Sequence, residues 1–401
     1  MLAASFAAPL SAQGNILLIV ADDLGVDNVG VYQEGSDMPP TPKIDALAQG
    51  GVLFRNCWAN PVCSATRATI LTGRYGSATG VTHAIPEVPE LPLEEWTIPE
   101  VLDLDRAGYA HAAIGKWHLG ATDHGPMTPN LQGFSHFAGA LAGSLPSYHA
   151  WEKVTDGVAS RSSTYATTEN VDDALAWIGQ QSSPWFVYLA FNAPHVPFDK
   201  PPRDLHSQVL PAENWTEEPR PYYKAIVEAM DAEIGRLLAS LPARERADTT
   251  VIFVGDNGTP HFVTARPFDP DHAKATLYEG GLNVPLIING PGVVSPRRES
   301  VALVNTTDLF ATVLELAGVD ADAALPGVGL DSISLVPYLE DPAQPPLRSM
   351  VMAELFAPTQ IGIGKHGSAI WDGRQKLIDF EDGTVEVYDL AFDPFEMFPL
   401  N

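Results

Sequence analysis

The segment Asn15–Ala21, NILLIVA, constrains the fold more than any other. After its first residue it has no polar alternation, so it reads as a strand buried on both faces, as in a parallel sheet covered by helices. It stops abruptly at Asp22-Asp23-Leu24-Gly25. Carboxylates just past the carboxyl end of such a strand lie where open α/β sheets place their ligands. Further strands are predicted over 52–58, 109–114, 185–191, 249–254 and 284–288. Helices are predicted over 42–48 (Thr41 as N-cap, Pro42 in the first turn), 64–71, 99–106, 168–181, 222–241 and 308–316. This alternation predicts an α/β fold, a mostly parallel sheet with helices on both faces. Residues 121–165, rich in Gly, Ser, His and Pro, read as irregular excursions over the strand ends. Past about residue 340 the pattern changes. Segments 375–380 and 385–390, with a turn at Glu381-Asp382-Gly383, read as a small antiparallel sheet. The expected organisation is a start over 1–14, a catalytic domain over 15–340 and a small C-terminal subdomain over 341–401.

The 401 residues are 45 % hydrophobic and 18 % charged, which excludes a disordered, collagen-like or coiled-coil chain. Lys and Arg number 23 against 50 Asp and Glu, a net charge of −27. That field repels phosphate backbones and anionic membrane surfaces, so neither nucleic acid nor membrane is an expected partner. An anionic substrate would need a local concentration of cations. No run approaches 18 apolar residues, so no membrane span is expected. The start, MLAASFAAPLSAQG, resembles the tail of a signal peptide, which predicts export, periplasmic or secreted. With only Cys57 and Cys63, no disulfide framework is possible.

Four predicted strand ends carry polar groups: Asp22 and Asp23; Lys116 and His118; His195; and Asp256 and Asn257. Each alone is weak, because an Asp pair after a strand is most often a turn and a His after Pro a surface residue. Parallel strands bring their carboxyl ends to one rim, where the groups could share a site. Oxygens from Asp22, Asp23, Asp256 and Asn257 suit a hard cation, and calcium better than magnesium, which keeps its waters. In Cys63-Ser64-Ala65-Thr66-Arg67, a cysteine at a helix start has a favoured thiolate facing an anion-friendly backbone. Arg67, one turn on, shares its helix face. A buried structural cysteine, or a cysteine hydrolase with His118 or His195 as base, fits the same residues.

The chain resembles the formylglycine-dependent sulfatases of the alkaline-phosphatase superfamily. The resemblance runs from Asn15-Ile16-Leu17 and Asp22-Asp23-Leu24-Gly25 through Thr41-Pro42-Lys43-Ile44-Asp45 and the segment from Cys63 to Thr72-Gly73-Arg74. It continues in Gly115-Lys116-Trp117-His118-Leu119-Gly120, Ala193-Pro194-His195, Asp256-Asn257-Gly258, Lys274 with Tyr278-Glu279-Gly280-Gly281, and Tyr388-Asp389-Leu390. It implies an alkaline-phosphatase-like fold and hydrolysis of aryl or carbohydrate sulfate esters. It implies that a maturation enzyme oxidises Cys63 to formylglycine. Asp22, Asp23, Asp256, Asn257 and the modified Cys63 would bind one calcium ion. Arg67 and His118 would stabilise the aldehyde hydrate, Lys116 and Lys274 would hold sulfate oxygens, and His195 would face the leaving oxygen.

The chain departs from the family pattern at Ala65, where Pro is usual, at Asn283, where Arg is usual, in a shortened block after Gly258, and in a small C-terminal subdomain. A phosphonate or phosphate ester hydrolase on the same fold, and an inactive binder of sulfated glycans, are the competing readings. The alcohol is not legible, because specificity falls to the 121–165 and 199–220 loops.

Overall fold

The computed structural model describes residues 14–211, 214–357 and 365–400. The proposed export signal lies outside the described residues, apart from Gly14. Among the described residues no helix is long and apolar enough to cross a membrane.

Ten strands form one sheet: β1 (Asn15–Ala21), β2 (Val52–Trp58), β3 (Ala110–Lys116), β4 (His136–Ala140), β5 (Trp151–Thr155), β6 (Val158–Ser162), β7 (Trp185–Ala190), β8 (Thr249–Gly255), β9 (Leu286–Asn289) and β10 (Arg298–Asn305). Their order across the sheet is β10-β2-β9-β8-β1-β7-β3-β4-β5-β6. The block β8-β1-β7-β3-β4 is parallel throughout. β9 runs antiparallel between β2 and β8. The expected mostly parallel sheet is therefore present.

Every residue of β1 after Asn15 is buried, and its alternation feeds two cores. Ile16, Leu18 and Val20 pack with the helices Cys63–Thr72, Ile98–Leu104 and Asp308–Leu316 on one face. Leu17, Ile19 and Ala21 pack with Pro42–Gly50, Ala166–Ile178 and Pro219–Ser240 on the other. Two-sided burial is the reason the strand needs no polar alternation. The helix Cys63–Thr72 is buried along its whole length and closes at Gly73, which takes the left-handed conformation (φ 67°) that favours glycine.

Residues 121–165 are not irregular throughout. They contain β4, β5 and β6, which extend the sheet by one parallel and two antiparallel strands. β6 is exposed along most of its length, so it lacks the apolar run that marks a buried strand. The C-terminal sheet has four antiparallel strands, β11 (Val351–Leu355), β12 (Gly367–Trp371), β13 (Gln375–Phe380) and β14 (Val385–Asp389). Its core joins Trp58, Val62 and Ala65, so it packs on the start of the helix that carries Cys63.

Candidate active site

Strands β8, β1, β7 and β3 are neighbours, and their carboxyl ends deliver the site. Backbone bonds continue past them: Asp256 N donates to Ala21 O (3.0 Å) and Asp22 N to Ala193 O (3.0 Å). This fixes Asp22 and Asp23 between the loops that carry His195 and Asp256. Cys63 enters the same space from the first turn of its helix. One oxygen each from Asp22 and Asp23, Cys63 Sγ and a His195 ring nitrogen all lie within 4.8 Å of one another.

Three buried carboxylates meet three cations. Lys116 Nζ donates to Asp22 Oδ2 at 2.6 Å. Lys274 Nζ donates to Asp23 and lies 3.8 Å from Cys63 Sγ. Arg67 donates from Nε (3.0 Å) and Nη2 (2.7 Å) to Asp256 Oδ2, and from Nη1 to the Lys116 carbonyl (3.0 Å). The anion that Arg67 reaches is thus a side chain of the site itself. These six groups sum to a formal charge of zero. Two buried oxygens of the site make no hydrogen bond, Asp22 Oδ1, with Arg67 Nη2 4.0 Å away, and Asn257 Oδ1, while Asn257 Nδ2 donates to Asp23 Oδ1 at 2.8 Å. Buried polar atoms are rarely left unpaired. Unpaired oxygens beside two carboxylates form a hard-donor set, which fits an oxygen-seeking divalent cation.

Burial decides the protonation states. It lifts the Asp22 carboxyl to about 8, against the pull of Lys116. It would raise Asp23 too, but Lys274, His195 and Lys116 together outweigh it and hold that carboxyl below the ordinary range. The Cys63 thiol is pushed up to about 12 by burial, against Lys116 and Lys274. The favoured thiolate expected from the helix start is therefore not found, because loss of water outweighs the helix end. His195 is pushed down to about 4 by burial. Its Nδ1 lies 2.7 Å from the Val196 carbonyl. A carbonyl only accepts, so Nδ1 carries the hydrogen and Nε2, 3.8 Å from Asp23 Oδ2, is bare. His118 is held well below its ordinary value by burial and by Lys116. Its Nε2 donates to the Ile85 carbonyl (2.9 Å), and Nδ1 has no partner.

All ten residues singled out in the sequence meet here: Asp22, Asp23, Cys63, Arg67, Lys116, His118, His195, Asp256, Asn257 and Lys274. Sequence reasoning missed the residues that position them. The Ser64 hydroxyl donates to the His118 carbonyl (2.8 Å) and accepts from Ile85 N (3.1 Å). The Tyr223 hydroxyl donates to the Asp23 carbonyl (2.8 Å). The Tyr148 hydroxyl sits 2.6 and 2.8 Å from the carbonyls of Asn192 and His195. Tyr223 lay inside a predicted helix with no mark of its inward hydroxyl, and Tyr148 in a stretch read as irregular.

Comparison with known proteins now gives the family. The sequence model of the sulfatase family matches residues 14–319, and that of the N-sulphoglucosamine sulphohydrolase C-terminal region matches residues 271–400. The chain is 31 % identical to N-acetylgalactosamine-6-sulfatase of Homo sapiens, across 96 % of this chain and 81 % of that protein. It is 28 % identical to arylsulfatase G of Canis lupus familiaris, with the same coverage of each. Among solved structures, Ps i-CgsB in complex with k-i-k-neocarrahexaose superposes with a TM-score of 0.81 at 24 % identity, covering 97 % of this chain and 89 % of that one. A protein in complex with its substrate D-glucosamine-2-N,6-O-disulfate superposes with a TM-score of 0.78 at 23 % identity, covering 97 % and 93 %. These likenesses show the fold. Sulfatases generally use a formylglycine and a metal ion. The chain belongs to the sulfatase family and is a sulfuric ester hydrolase.

Proposed function

We propose that this sulfatase acts on carbohydrate or aryl sulfate monoesters, with the residue at position 63 as the nucleophile. The observation that carries the reading is the meeting of three carboxylates, one amide oxygen and three cations around Cys63. Asp22, Asp23, Asp256 and Asn257 would hold one calcium ion. Bound there, calcium supplies positive charge for the anionic oxygens of the ester. Formylglycine at position 63, made from Cys63 by a maturation enzyme, supplies as its hydrate one hydroxyl to attack sulfur and one to release sulfate.

The chain's own residues divide the remaining work. Lys116 and Lys274 hold sulfate oxygens, because they are the ammonium groups nearest Cys63. Arg67, fixed between Asp256 and the Lys116 carbonyl, adds charge without having to move. Such preorganised charge is worth more in a buried site than in water. His118 Nδ1, with Nε2 engaged, accepts from a hydroxyl at position 63. His195 is neutral in the free protein. An ester anion beside Nε2 favours the imidazolium, which then protonates the leaving oxygen. Carbohydrate substrates are supported by the relatives, among them an N-acetylgalactosamine-6-sulfatase and a structure holding a glucosamine disulfate. Residues 15–340 are proposed as the catalytic domain, 341–401 as a subdomain, and the protein as exported.

The test is sulfate release from 4-nitrophenyl sulfate and a panel of sulfated sugars, using protein produced with a maturation enzyme. Matured wild type should release sulfate and Cys63→Ala should not. Full activity in Cys63→Ala, or faster turnover of the matching phosphate esters, would overturn the reading.

A further inference from the structure

Lys274, which pairs with Asp23 beside Cys63, stands next to a strained point of the backbone. The following residue, Ala275, is buried and takes the left-handed conformation (φ 67°), which disfavours any side chain. Such a backbone persists only where its surroundings over-determine it. One part of that hold is local: Lys274 N donates to Thr259 O and Ala275 N to Pro61 O, both at 3.0 Å.

The other part comes from residues past β14. There the chain turns at Asp393, whose carboxylate accepts from the amides of Met397 (3.0 Å) and Phe398 (2.7 Å). The turn brings Phe395 and Glu396 against the loop that carries Lys274. The Phe395 ring meets Phe268 edge to face, with 5.1 Å between centres. Glu396 is buried and itself left-handed (φ 57°). Its Oε2 accepts from the Glu279 amide, and its Oε1 lies 2.7 Å from Lys376 Nζ. Glu279 opens the short helix Glu279–Leu282. A first-turn amide has no partner within its own helix, so Glu396 supplies one. β14 adds a further hold, because the Tyr278 hydroxyl donates to Glu386 Oε2 (2.8 Å), which also accepts from the Tyr388 hydroxyl (2.7 Å). Loop 268–279 is thus fixed at Phe268, Tyr278 and Glu279 by residues 386–396, with Lys274 near its middle.

We infer that Glu396 is a positioning residue for Lys274: the C-terminal tail clasps loop 268–279 and so fixes the Lys274 ammonium beside Asp23 and position 63. This rests on the sulfatase reading above, in which Lys274 holds a sulfate oxygen, and deepens it by giving the tail a part in sulfate binding. Lys274 holds that oxygen both before and during bond breaking. Displacing it therefore weakens substrate binding more than it slows turnover.

The experiment is a double-mutant cycle in matured protein, read as kcat and KM for 4-nitrophenyl sulfate and as calorimetric binding of inorganic sulfate. Glu396→Ala should lower kcat/KM roughly tenfold, chiefly through KM, because a small misplacement of a binding group is costly. In a Lys274→Met background the same substitution should change kcat/KM by less than about twofold. Sulfate affinity should follow the same cycle without needing turnover. Absence of turnover in wild type would sink the sulfatase reading, while the sulfate cycle would still decide the role of Glu396. Phe395→Ala loosens the Phe268 contact and leaves the carboxylates in place. It should show the same dependence on Lys274, and it replaces Glu396→Ala should that variant not fold. An equal cost with and without Lys274 would mean that the tail acts on folding at large, or on Asn257 through the Gly258 N to Gly281 O bond (3.0 Å). That result, or an unchanged KM in both tail variants, would overturn the inference.

Discussion

Asp22 should make metal binding depend on pH. The residue is fully buried, with Lys116 Nζ 2.6 Å from Oδ2, and Oδ1 makes no hydrogen bond, Arg67 Nη2 standing 4.0 Å away. Burial raises its carboxyl from 3.8 to about 8. At neutral pH the metal-free site therefore holds a proton that a hard cation must displace. One displaced proton means that apparent calcium affinity rises nearly tenfold per pH unit below pH 7, about 50-fold between pH 6 and 8, and flattens above. The sign for stability is opposite. A carboxyl raised in the folded state favours folding at low pH, so the metal-free protein loses stability as pH climbs from the ordinary carboxyl range toward 8. Calcium should restore that loss, most strongly at the high end. Calorimetric titration in two buffers of different ionisation heat counts the protons directly. Wild type should release close to one proton at pH 6 to 7. Asp22→Asn should bind calcium more weakly and with no pH slope. An affinity flat between pH 6 and 8, or an unchanged slope in Asp22→Asn, would refute the assignment of Asp22 as a buried ligand.

Other expectations follow from neighbouring contacts. Peptide mass spectrometry of matured protein should find an aldehyde at Cys63 and a thiol at Cys57, which is buried in the core with its thiol raised; a thiol at Cys63 in fully active protein would refute the role given to it. His195→Ala should cost sugar sulfates ~10²–10⁴-fold, but 4-nitrophenyl sulfate far less, because nitrophenolate leaves without a proton. Parallel leaving-group plots for wild type and mutant would remove His195 as the acid. Lys376 is buried between Glu279 (3.2 Å) and Glu396 (2.7 Å), its Nζ 4.7 Å from the Trp58 ring centre. Lys376→Met should therefore cost about 3–5 kcal/mol of stability in urea unfolding, and a loss below about 1 kcal/mol would refute the coupling between the C-terminal sheet and Trp58.

Much of this was legible because of how a parallel sheet works. The run Asn15–Ala21 announces a strand buried on both faces, and strand ends in such a sheet share a rim, so Asp22, Lys116, His195 and Asp256 could be gathered before any coordinates. What resisted reading was edge structure and hydroxyl direction. β6 is largely exposed and carries no apolar run, and β11 and β12 complete a sheet whose other half alone was visible in the sequence. Ser64, Tyr148 and Tyr223 matter through single hydroxyls aimed at backbone carbonyls, and no spacing rule encodes where a hydroxyl points. The thiolate expectation failed for a related reason. A helix start is local and readable, but the desolvation that pushes the Cys63 thiol to about 12 comes from every element packed around it.

That failure bears on the choice between a cysteine hydrolase and a formylglycine enzyme. A thiol nucleophile needs a thiolate, and a thiolate needs either a lowered pKa or a nearby base. Burial lifts the thiol here instead. His118 has a bare Nδ1, but burial and Lys116 hold the ring far below its ordinary value, so it is a weak base. His195 Nε2 is bare too, yet burial lowers the ring to about 4, which also makes it a weak base. Sulfur is moreover a poor neighbour for the hard oxygen donors of Asp22, Asp23 and Asn257, which suit a cation that prefers oxygen. Oxygen at position 63 removes each conflict together. It needs no thiolate, it matches the hard donor set, and Lys274, 3.8 Å from Sγ, already faces it. The pocket that disfavours Cys63 as a cysteine is thus suited to the oxygen-bearing residue made from it.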